Sequence, residues 1–164
     1  MKKTGKTFRR RSAARLAAVQ ALYQMEMSGA DADSALRDQA RRESDAETGD
    51  GPQFEPDPQF LGDLVRGVGE RREDVDRMVG AALSKGWPLE RLEAVLRAIL
   101  RAGAWELLSR PDIDAPVIIT EYVRIAEAFF DGGEPKLANG VLDKLAATLR
   151  DGEGAAAQDG GNEG

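Results

Sequence analysis

The chain has no cysteine and no histidine among its 164 residues. Without cysteine there is neither a disulfide nor a thiolate metal site. Without histidine the commonest general base and the commonest metal ligand are both missing. Aromatic residues make up only 5% of the chain, and no apolar run approaches the length that crosses a bilayer. A basic start followed by apolar residues suggests a secretory signal, but Arg15, Gln20 and Gln24 interrupt the apolar stretch and exclude one. An enzyme needs a set of residues that fill the roles of a reaction. Here the carboxylates are scattered over connections, termini and helix surfaces, and no pair marks a cleft. The Gly67-Val68-Gly69 triplet follows no strand and lacks a third glycine at the required spacing, so it is no phosphate loop. Glu106 and Glu121 lie in helical stretches and read as surface or ion-pair residues. The composition therefore points to an interaction module rather than a catalyst.

What is present is unevenly distributed. The formal charge is −6, yet the first fifteen residues hold seven basic side chains and no acid, so the remaining chain carries −13. Such a layout is a basic arm on an acidic body. The body repels nucleic acid away from the arm and attracts a basic protein partner. The stretch Phe8–Met27, FRRRSAARLAAVQALYQMEM, has helical period. Ala14, Ala18, Ala21, Leu22 and Met25 form one apolar stripe, while Arg11, Arg15, Val19 and Tyr23 share another arc. Guanidinium groups beside an aromatic ring suit a single-stranded nucleic acid, with charge along the phosphates and the ring stacked on a base.

Residues 1–8 read as a flexible basic arm, followed by a helix from about Phe8 to Ser28 that Gly29 ends. Asp31 or Asp33 is placed to cap a second helix over about 32–42. Residues 43–57 hold six acids and no base, with two prolines and two glycines, and read as an acidic loop. Phe60, Leu61, Leu64, Val65 and Val68 begin a stripe that Val75, Met78, Val79 and Leu83 continue. Gly62, Gly67 and Gly69 mark close helix contacts or a break near residue 70. After Gly86-Trp87-Pro88, the apolar residues from Leu92 to Leu108 cover more than one face, which predicts the central helix of the fold. Gly103 lies on its apolar side, where a neighbour can approach closely. Asp114 with Pro116 opens the next helix. The last runs from about Glu134 to Arg150, with Gly140 read as a close-packing point. Residues 151–164 are acidic, Gly-rich and expected to be disordered. With no alternating strand pattern, the reading is all-α, with six or seven helices.

Three blocks carry a resemblance: RRRSAARLAAVQALYQ, AILRAGAWELL and KLANGVLDKL. In order and spacing they resemble the NusB family of bacterial transcription antitermination factors, over residues 9–42 and 58–150. The resemblance implies two small helical bundles packed together and no enzymatic activity or cofactor. It implies a cytoplasmic protein that pairs with NusE, a small-subunit ribosomal protein. The pair binds the boxA element of ribosomal RNA transcripts and, with other Nus factors, helps RNA polymerase resist termination. By position, Arg11 and Arg15 match an RNA-contacting arginine cluster, with Lys2, Arg9 and Arg10 as neighbours. Tyr23 matches a tyrosine tied to RNA binding, and Arg101 an arginine of the central helix near the RNA face. Leu96 departs from the family pattern, where an acid is usual. Gly133 or Glu134 falls where some relatives have an aspartate. A NusB-like domain also opens some ribosomal RNA cytosine methyltransferases. This chain has no Gly-rich strand–turn–helix for a methyl donor, which sets that alternative behind an RNA-binding factor.

Overall fold

The computed structural model describes residues 2–46, 54–84 and 87–150. Helix α1 spans Lys2–Ser28 and so takes in the residues expected to form a flexible arm. Gly29 closes it with φ of +75°, a left-handed conformation that glycine adopts without a Cβ clash, and its N–H donates to the Met25 carbonyl at 2.9 Å. Helix α2, Ala32–Ala46, starts behind Asp31, whose carboxylate accepts the Ser34 N–H at 2.8 Å. It runs four residues further than its thin apolar content predicts. Of the expected acidic loop, residues 43–46 complete α2 and 54–57 lead into the next helix. Residues 47–53, like 151–164, lie outside the described residues.

Helix α3 spans Pro58–Glu70, and Asp57 caps it by accepting the Gln59 and Phe60 N–H groups. The expected break falls at Arg71, after which α4 covers Arg72–Ala82. A single 3-10 turn at Leu89–Arg91 precedes α5, Ala94–Ser109. Then come α6, Ala115–Phe129, and α7, Glu134–Leu149. Asp114 occupies the position before α6 but makes no side-chain cap bond there. Among the described residues there are seven α-helices and no strand.

Helices α1, α2 and α3 pack on one another, and α4 to α7 form a second group. Helix α5 joins the two groups by touching α1, α3, α4, α6 and α7. This explains why its apolar residues run around the whole helix: Leu96 and every residue from Ala98 to Leu107 are buried. Each Leu or Ile fully enclosed there contributes about 1.5–3 kcal/mol of transfer free energy. Two glycines permit the close crossings. A Cβ on Gly67 would come within 2.2 Å of the Trp105 ring, and one on Gly103 within 2.9 Å of Leu142. Gly140 is different. It is exposed, and a Cβ there meets nothing within 4 Å, so the close packing expected at that residue is absent. Helix α7 instead packs through Ala138, Val141, Leu142 and Leu145.

Candidate nucleic-acid interface

The arc that carries Arg11, Arg15 and Val19 faces inward. Val19 and Arg15 are each 1% exposed. The Arg15 guanidinium is held by α5 and α6. Its Nε donates to Glu106 Oε1 at 2.9 Å, its Nη2 to Glu106 Oε2 at 2.6 Å, and its Nη1 to Glu121 Oε1 at 2.9 Å. The Tyr122 hydroxyl donates to Glu106 Oε1 at 2.9 Å, and Ser12 Oγ donates to Glu121. Burial opposes the charge on Arg15. The hydrogen bond and attraction of Glu106, helped by Tyr122 and Glu121, outweigh it and hold the pKa above the usual arginine value. Arg15 is thus a buried tie between helices in this structure, not an exposed phosphate contact.

The ring of Phe60, itself buried, completes the cluster. The guanidinium carbons of Arg11 and Arg15 lie 5.1 Å from its centroid and that of Arg110 lies 5.2 Å away, all within cation–π range. Arg110 is held in turn by Asp112 through bonds of 3.0 and 2.9 Å.

Arg101 is enclosed as well. It is 7% exposed, donates to both Asp76 oxygens at 2.8 and 3.2 Å, and reaches Glu26 at 3.3 Å. Arg97, one turn earlier, pairs with Glu26 at 2.6 Å and donates to the carbonyls of Glu90 and Leu92. The network joins the end of α1 to α4 and α5. Acids from both neighbouring helices pair with a guanidinium that the family resemblance placed near the RNA face.

The basic groups that do reach solvent lie at the other end of α1. Lys6 and Arg9 are exposed, and Arg10 and Arg11 are half-buried. The side chain of Lys2 is outside the described residues. A short strap, Phe54–Asp57, holds this turn. The Asp57 N–H donates to the Arg10 carbonyl at 3.1 Å, and Arg10 Nε donates to the Glu55 carbonyl at 3.3 Å. Arg9 stacks on Phe54 at 5.0 Å. From the strap a groove of 1230 Å³ extends beside α1, with Arg10, Leu16, Tyr23, Met27, Phe54 and Phe129 among its walls. Tyr23 is 39% exposed there. Of the arc grouped from the sequence, Tyr23 is accessible and Arg11 half-buried, whereas Arg15 and Val19 are enclosed, as is Arg101.

Sequence reasoning missed Glu106 and Glu121 as partners of Arg15, and Phe54, Phe60 and Glu55 as supports of the basic turn. The solitary acid of α5, set between Trp105 and Leu107, was the available signal for Glu106, because a buried carboxylate requires a cation. Among the described residues, no group of three or more Asp or Glu is placed to hold a metal ion. No described helix is long and apolar enough to cross a membrane.

The NusB family model matches residues 12–147. The chain belongs to the NusB family. A transcription antitermination protein NusB from Caulobacter vibrioides is 46% identical over 148 residues, covering 90% of this chain and 99% of its own length. The protein of that name from Maricaulis maris is 49% identical over 143 residues, covering 87% and 89%. Among solved structures, T. maritima NusB superposes with a TM-score of 0.70 at 28% identity, over 83% of this chain and 89% of that one. A chain from a crystal structure of antitermination factors NusB and NusE in complex with dsRNA gives a TM-score of 0.72. It covers 85% of this chain and 98% of its own, and at 21% identity it shares the NusB fold.

Proposed function

We propose that this protein is a transcription antitermination factor that pairs with a NusE-type ribosomal protein. Together they bind boxA RNA of ribosomal RNA transcripts and, with the other Nus factors, help RNA polymerase resist termination. The observation that carries the proposal is the exposed basic turn of α1, presented by a fold of the NusB family whose curated relatives are antitermination proteins. Its work is binding, without catalysis, in the cytoplasm. Lys2, Lys6, Arg9, Arg10 and Arg11 supply charge for phosphates, and Tyr23 supplies a ring for a base. Arg15 and Arg101 act at one remove. Arg15 fixes the register of the basic turn against α5 and α6, and Arg101 ties the Tyr23 end of α1 to α4 and α5. The acidic body leaves the α1 turn as the attractive face for RNA and favours a basic protein partner.

The test is a titration of a single-stranded boxA RNA with the full chain, with and without the NusE-type protein, against a scrambled RNA of equal length. Preferential binding of boxA that tightens with the partner is expected. Equal affinity for both RNAs under all conditions refutes the assignment.

A further inference from the structure

The strap residue Phe54 supports Arg9 yet stays partly exposed. Its ring is 39% exposed, the same fraction as Tyr23, and it is covered in part by the Arg9 guanidinium at 5.0 Å rather than by the core. The strap beside it is fixed. Asp57 caps α3 and donates to the Arg10 carbonyl, while Arg10 Nε returns a bond to the Glu55 carbonyl. Phe54 therefore stands next to the arginine turn in the groove that also holds Tyr23 and Phe129. Arg10 and Tyr23 are thirteen residues apart on α1, roughly 20 Å at the helical rise. Charge orders the two walls. Arg10 lines the α1 side, with Lys6 and Arg9 on the same helix, whereas among the described residues the α2 and strap side carries Glu43 and Glu55 against the single cation Arg42. Phosphates are drawn to the first wall more than to the second, which turns the bases of a strand on α1 toward the rings.

We propose that Phe54 is a second stacking platform for an unpaired base of single-stranded RNA, at the arginine end of the groove and opposite the Tyr23 end. Arg9 links the platform to the backbone, because a guanidinium lying on the ring is also in position to meet the adjoining phosphate. The ligand is an unstacked nucleobase, read by its face and so with little sequence preference. This inference rests on the RNA-binding function proposed above. A protein segment in the groove is the competing occupant. The basic rim and the ring at each end favour RNA.

The experiment uses the full chain with its NusE-type partner and a single-stranded boxA RNA carrying a fluorescent purine analogue at successive positions. Phe54→Ala and Phe54→Leu are expected to weaken binding by about 5- to 150-fold, the loss of one stacked base. The salt dependence and melting temperature should stay unchanged, and Phe54→Tyr should restore affinity. Quenching of the analogue should be lost at one position only. Unchanged RNA affinity in Phe54→Ala overturns the proposal while leaving the antitermination function intact. An affinity loss accompanied by a shallower salt slope also overturns it, since Phe54 then acts only through Arg9. Weakened binding of the protein partner with normal RNA affinity assigns the groove to protein. Failure of the unmodified chain to bind RNA refutes the underlying function and this inference with it.

Discussion

Removing Arg15 separates the two roles that a basic residue on α1 can have. In Arg15→Ala, Glu106 and Glu121 remain buried, at 0% and 5% exposure; Glu106 loses its cation and Glu121 keeps only Arg124 at 3.8 Å. Breaking a buried pair from one side costs about 3–5 kcal/mol, most of it the penalty of the charge left behind. For a chain of this size each kcal/mol lowers the melting temperature by about 2–4 °C, so a fall of roughly 6–20 °C is expected.

The RNA measurement completes the test. A phosphate contact on a single strand adds about −0.7 to the slope of log affinity against log salt. The folded fraction of Arg15→Ala should keep the parent slope, because its guanidinium reaches no solvent. Arg9→Ala and Arg10→Ala should each make the slope shallower by about 0.7. Thermal denaturation and a salt series of RNA titrations on the three variants decide the matter. An Arg15→Ala protein of unchanged stability with a shallower slope refutes the buried-tie assignment.

The other variants probe the scaffold beneath the site. Tyr122→Phe removes the hydroxyl bond to Glu106 and should cost about 1–3 kcal/mol, a hydrogen bond to a charged group. Burial, reinforced by the Glu106 carboxylate, raises the Tyr122 pKa well above the ordinary tyrosine value, so the parent should lose tyrosine-linked stability as pH climbs above about 10 and the Phe variant should lack that alkaline limb. Gly67→Ala drives a methyl into Trp105 and should destabilise by about 1–3 kcal/mol, while Gly140→Ala, in open space within α7, should stabilise by about 0.5–1 kcal/mol. Chemical denaturation of the pair checks both signs. Asp57→Ala removes the α3 cap and should cost about 1 kcal/mol, with Asp57→Asn largely retaining stability.

Most helices were legible because they bury a continuous stripe, which α2, with only Ala35 and Gln39 buried among its described residues, does not. Phe60, Leu61, Leu64, Val65 and Val68 are all buried, as their spacing requires, and the apolar girth of α5 gave its central place. Glycines were legible only in part. A glycine in a helix has the same local cost whether a neighbour presses on it or water does, so the sequence marks Gly103 and Gly140 alike. Only the Leu142 side chain against Gly103 distinguishes them. The site divides along similar lines. Exposure of the turn at Lys6–Arg10 follows from its charge density, because that many like charges cannot share a core. Arg15 fails that argument, since one arginine among alanines is compatible with either environment. Its neighbours on the wheel settle the direction. Val19 follows one turn later on the same arc and is buried with Arg15, while Tyr23, a further turn on, reaches solvent.

That burial then demands an acid from another helix. Glu106, set among Ala104, Trp105 and Leu107, is the acid with the least reason to be in its own helix. Neither residue is interpretable alone. An enclosed arginine needs a carboxylate and an enclosed carboxylate needs a cation, so the pair becomes readable only when two misfits in distant segments are considered together. The same logic locates the limit of reading a functional face from one helix. Which arginines remain for a phosphate depends on which ones the acids of α4, α5 and α6 have already taken. Arg9 and Arg10 are left to the RNA face because the groups that meet them are the Phe54 ring and the Glu55 carbonyl, which orient a guanidinium without neutralising it.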